Sequence, residues 1–81
     1  MKKVTAKAFK MLLAQRIKQL RTKSSLTQAE LAIKIGYKDK QVINNYEVNG
    51  ANPTAYNLVL LAKALEVTID ELLDFSKLTE K

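Results

Sequence analysis

Apolar residues recur along this chain at spacings of three and four, and no stretch alternates strictly. That period turns one face of a helix inward, whereas a half-buried strand repeats every second residue. Phe9, Leu13, Ile17 and Leu20 form one such stripe and predict a first helix from about Thr5 to Lys23. Thr27-Gln-Ala-Glu30 then has the capping-box pattern, in which the Thr27 side chain takes the amide of Glu30 and Glu30 reaches back. Leu26 and Leu31 stand at the hydrophobic-staple positions of this second helix, and Gly36, free to turn left-handed, is its stop. Ala29, Leu31, Ala32 and Ile35 are its apolar residues, and the two alanines predict a close helix crossing.

Asp39 is the expected N-cap of a third helix that runs to about Val48, where Asn49-Gly50 ends it and Asn52-Pro53 continues a loop. Thr54 caps a fourth helix with Leu58, Leu61, Ala62 and Leu65 as its core stripe. Thr68-Ile-Asp-Glu71 repeats the capping box, with Val67 and Leu72 in staple positions, and opens a short fifth helix ending near Phe75. The pattern predicts an all-α domain, a compact five-helix bundle over residues 13–75. Residues 1–12 read as a basic N-terminal extension continuing into the first helix, and 76–81 as a frayed tail.

The third helix is unusual in what it leaves outside. At about 100° per residue, Ile43, Tyr46 and Glu47 share one side, and Lys40, Gln41, Asn44, Asn45 and Val48 occupy the rest. A merely solvated face would be better served by Glu or Lys, which favour helix more than Asn or Gln do. Amide side chains do suit DNA base edges: Asn and Gln pair bidentately with adenine, and Lys reaches guanine or a phosphate. The second helix opens with Gln28, so its N-terminal amides stand ready for a phosphate as well.

Charge sharpens this picture. The net charge is +6, and residues 1–40 hold eleven Lys or Arg against two acids, while residues 41–81 hold three against six. A basic side facing a polyanion accounts for that asymmetry. With neither Cys nor His, thiolate and imidazole metal sites and the commonest general base are absent, so no cofactor, metal or enzymatic activity is expected. No apolar run reaches eighteen residues and no signal-peptide pattern opens the chain, which predicts a cytoplasmic protein with no membrane partner.

The order of these residues is similar to a known family. Arg16-Ile17, Leu20-Arg21, Leu26-Thr27-Gln28, Glu30-Leu31-Ala32 and Gly36 are followed by Ile43, Tyr46-Glu47 and Asn52-Pro53. Leu61-Ala62-Lys63-Ala64-Leu65, Val67 and Asp70-Glu71-Leu72-Leu73 complete the series. From about Leu13 to Leu73 the chain resembles the helix-turn-helix domain of the phage-repressor and Cro type, also called the xenobiotic-response-element family. The resemblance implies a lambda-repressor-like bundle acting as a homodimer on double-stranded DNA. It implies a sequence-specific transcriptional regulator, a repressor, with the third helix in the major groove.

At matched positions it implies base contacts from Lys40, Gln41, Val42, Asn44 and Asn45, with Val42 against a thymine methyl. It implies phosphate contacts from Thr27, Gln28, Lys38, Asn49 and Gly50, and a structural ion pair between Arg21 and Glu47. Two departures stand out: the turn Gly36-Tyr-Lys-Asp39 is one residue longer than the common form, and Ser25 replaces the glycine that often ends the first helix. The run Gln41 to Glu47 also looks like that of multiprotein bridging factors, so the alternative is an antitoxin-like or bridging-factor-like module with a protein partner. Leu72, Leu73, Phe75 and Leu78, or Val4, Met11 and Leu12, are the candidate dimer contacts.

Overall fold

The computed structural model describes residues 5–79, and Val4 lies outside them. Its helices are α1 (Ala6–Lys23), α2 (Gln28–Lys34), α3 (Gln41–Glu47), α4 (Ala55–Ala64) and α5 (Ile69–Leu72), followed by a 3-10 turn, Phe75–Thr79. The all-α five-helix architecture is the expected one. Four of the five starts are fixed locally, because Thr5, Thr27, Thr54 and Thr68 each accept an amide N–H three residues on. The Thr27–Glu30 and Thr68–Glu71 boxes both close reciprocally.

Helix ends follow one rule with three different residues. α1, α2 and α4 each finish in a Schellman arrangement, with a left-handed residue after the cap and a 6→1 amide bond back into the last turn. Only α2 uses glycine, Gly36 at φ 91°. Ser25 and Glu66, both at φ 59°, occupy the other two, so the departure at Ser25 is a real left-handed position carrying a side chain.

Leu13, Ile17, Leu31, Ile43, Leu61 and Leu72 are almost fully removed from water and form the centre of the core. Ala32 is fully buried, as a close crossing requires, but Ala29, in the first turn of α2, is exposed. Leu72 is core, and Leu73 and Phe75 pack against it, so the first set of candidate dimer contacts mainly closes the core. The fifth helix also stops earlier than expected, at Leu72, and the part of the tail that is described is not loose. Asp74 accepts the backbone and hydroxyl bonds of Ser76 and starts the 3-10 turn, while Phe75 meets Phe9 of α1 edge-on at 5.7 Å.

Arg16 holds that end of the molecule together. Its guanidinium is buried and donates to the Glu71 carbonyl from Nε (3.1 Å) and Nη2 (2.7 Å), and to Gln19 Oε1 from Nη1. Gln19 in turn donates to the Lys77 carbonyl. A cation on the last carbonyls of α5 complements the helix dipole, adding to the Asp74 N–H that the Glu71 carbonyl already accepts at 3.2 Å.

Capping makes the fold sensitive to acid. The Thr27 backbone N–H and then its side chain hold the Glu30 carboxyl below its ordinary pKa, and Thr68 does the same for Glu71. The Ser76 hydroxyl lowers Asp74. A carboxylate whose pKa is lowered by folding stabilises the native state above its unfolded value and ceases to as pH falls through its folded value. The melting temperature is therefore expected to drop as pH falls below about 4.3, the ordinary Glu value. Glu30→Gln with Glu71→Gln keeps the capping bonds without the titration, so a flatter melting-temperature profile is the expected result. An equally steep profile in the double variant would assign the acid sensitivity elsewhere.

Candidate nucleic-acid interface

α2 and α3 pack on each other, and α3 packs on α1 as well, so a helix of only seven residues is held from two sides. Ile43 and Tyr46 fill the space between them. Glu47, at the end of α3, turns inward too, with its side chain 2% exposed. It accepts from Arg21 at both oxygens, Nε to Oε2 at 2.7 Å and Nη2 to Oε1 at 3.0 Å. Arg21 also donates to the Leu26 carbonyl at 2.8 Å, and the Glu47 bond holds its pKa above the ordinary value against desolvation.

Gln28 joins the same network. Its Nε2 donates to Glu47 Oε1 at 3.1 Å and faces Asn44 Oδ1 at 3.5 Å. The side chain named for phosphate is thus turned toward α3, where it fixes the angle between the two helices. Asn44 is half-buried beneath it rather than fully open. Thr27 is exposed; its Oγ1 accepts the Glu30 amide, which leaves the hydroxyl proton free to donate.

The start of α3 differs from expectation by one residue. The N-cap is Lys40, not Asp39: Lys40 is helical in its backbone angles and supplies the first carbonyl of the helix, while Asp39 accepts the Gln41 N–H at 2.9 Å from one residue earlier. The longer turn is pinned from the far side by Asn57 of α4. This buried amide donates from Nδ2 to the hydroxyls of Tyr46 (2.8 Å) and Tyr37 (2.9 Å). Nothing in the periodicity of α4 distinguishes Asn57 in advance.

Outside, Gln41, Asn45 and Asn49 stand four apart on one side of α3 and its exit. Gln41 Nε2 donates to Asn45 Oδ1 at 3.0 Å, and Asn49 Nδ2 donates to the same oxygen at 2.9 Å. Both lone pairs of that oxygen are engaged, so Asn45 offers outward only its two N–H donors. Gln41 and Asn49 each keep a free carbonyl oxygen and one N–H. Lys38 and Lys40 are exposed as well. Val42 is not: it is half-buried against the core, contrary to its expected place among the outward side chains. Packing of α3 on both α1 and α2 gives it a buried arc wider than one stripe.

After α3 the chain turns at Gly50, φ 67°, with the Asn49 and Ala51 amides both bonded to the Asn45 carbonyl. The Gly50 N–H has no acceptor among the described residues. A cleft joins this loop to the first turns of α1, lined by Ala6, Lys7, Lys10, Met11, Asn49 and Gly50. Among the described residues no helix is long and apolar enough to cross a membrane.

Over residues 17–72 the chain matches the family described as helix-turn-helix. It is 39% identical over 59 residues to an uncharacterized HTH-type transcriptional regulator, YobD, of Bacillus subtilis, covering 73% of this chain and 52% of that protein. The chain thus spans about half the length of this curated relative. The fold superposes on the restriction-modification controller protein C.AhdI from Aeromonas hydrophila with a TM-score of 0.72 and 32% identity, over 78% of this chain and 94% of that one. It superposes on the P22 c2 repressor, solved in complex with a synthetic operator, with a TM-score of 0.69 and 32% identity, again over 78% and 94%.

Proposed function

The chain belongs to the helix-turn-helix family, and on that premise we propose that it is a DNA-binding transcriptional regulator that acts as a repressor. The observation that carries this reading is the outward side of α3, where exposed Lys40 and Gln41 and the amides of Asn45 and Asn49 stand over a fully buried Ile43. A helix seated this firmly presents its polar groups to a major groove in one orientation. The P22 c2 repressor was solved on its operator, which supports double-stranded DNA as the partner here.

In this reading Lys40 and Gln41 contact base edges, and Gln41 keeps the oxygen and N–H needed to pair with adenine. Asn45, with its oxygen engaged, keeps two donors, which match the paired O6 and N7 acceptors of guanine. Val42 contributes packing rather than a methyl contact, and Asn44 steadies Gln28. Thr27, Lys38, Asn49 and Gly50 meet phosphates, which set register and carry no sequence information. A homodimer would read two half-sites about one helical turn apart.

A selected-oligonucleotide screen tests the whole reading. It is expected to enrich one short palindromic motif, with affinity falling steeply as salt rises. Weak binding that enriches no sequence would instead favour the protein-interaction module that the Gln41–Glu47 run also resembles.

A further inference from the structure

The cleft between α1 and the loop after α3 joins two segments that are about forty residues apart in the chain. Lys7 and Lys10 are three apart on α1 and so share one side of it. Lys7 is exposed and Lys10 half-buried, and neither forms an ion pair among the described residues. The acid closest in sequence to the loop, Glu47, is committed to Arg21 and Gln28. Asn49 and Gly50 line the same cleft, and the Gly50 N–H has no acceptor among the described residues. The cleft therefore concentrates two cations and an amide donor, and none of its described lining residues is a carboxylate. Both lysines precede the span that the family matches, residues 17–72.

We propose that Lys7 and Lys10 bind adjacent phosphates of the DNA backbone beside the Gly50 N–H, making the first turns of α1 a second anchoring surface. This rests on the DNA-binding reading above and goes beyond it, because neither lysine belongs to the helix-turn-helix unit. Two ammonium groups and an amide recognise phosphodiester oxygens and no base edge, so the anchor adds affinity at every sequence. It also ties the far end of α1 to the exit of α3, which restrains the angle at which α3 lies in the groove.

Counterion release makes the proposal measurable. Each phosphate neutralised contributes about 0.9 to the slope of log K against log salt. Lys7→Ala with Lys10→Ala is expected to lower that slope by about 1.8 on the selected duplex, and each single variant by about half as much. Affinity should fall by the same factor on selected and unrelated duplexes, and the selected motif should not change. Alanine favours helix, and neither side chain is core, so an unaltered circular-dichroism melt is expected alongside.

Lys63→Ala, on α4 and outside the cleft, removes a positive charge at a distance and should leave the slope near its original value. An unchanged slope in the double variant, an equal drop in Lys63→Ala, or an altered motif would each overturn the anchor while leaving the DNA reading standing. A wild-type chain that binds no duplex in a salt-dependent way overturns both.

Discussion

Replacing Glu47 with Ala is expected to cost about 3–5 kcal/mol of folding stability, a large share of the 5–15 kcal/mol that a domain has. The size follows from burial. Glu47 is 2% exposed and Arg21 12%, so water replaces the lost partner only in part. The variant strands the Arg21 charge on the Leu26 carbonyl and leaves the Gln28 amide without its carboxylate. Four segments lose a common tie: the end of α1, the turn after it, the start of α2 and the end of α3.

Urea unfolding measures the loss directly. A loss below about 1 kcal/mol would place the pair among exposed ion pairs. Replacing both partners together by Met and Leu should recover much of the stability, because a buried pair roughly breaks even against apolar packing. The same double variant frees Gln28, so its DNA affinity should fall even where its stability returns.

The second large effect concerns sequence preference. Asn45→Ala is expected to erase discrimination at one base position, worth about 1–3 kcal/mol for a good paired contact. At that position the wild-type chain should prefer guanine over adenine, since Asn45 presents donors alone. Gln41→Ala with Asn49→Ala removes both donors from Asn45 Oδ1 and returns that oxygen to the outward side. The preference should then move toward adenine, whose edge needs one acceptor and one donor. Selection with the wild type and the two variants checks it. A wild type that selects adenine there, or a double variant that still selects guanine, would refute the donor-only assignment.

Most helix boundaries were legible because their causes are local. A threonine and a glutamate three residues apart form a capping box wherever the chain goes next, and both boxes are present. Projecting α3 at 100° per residue put Ile43, Tyr46 and Glu47 together on the inner side, where they are found. The resemblance, not the projection, placed Val42 at the DNA, and the structure half-buries it, because a helix pressed from two sides buries more than one stripe. Ala29 was misread for a related reason: an alanine in the first turn of α2 costs nothing when exposed, so its small size says little about crossing. Asn57 carried no local signal at all, and Arg16 stood in the family series without a role attached to it.

Four of the five helix starts, most of the buried stripe and the family were readable from the chain alone, because these depend on residues three or four apart or on the order of short motifs, whereas the start of α3 and the end of α5 were not. Tertiary structure decided which polar groups are already engaged and which remain free for DNA. Arg16 reaches Glu71, Gln28 reaches Glu47, and Lys7 and Lys10 come beside Gly50 only when distant segments pack. Hydrogen-bonding capacity is a property of the residue, but its availability depends on what the fold brings within about 3 Å.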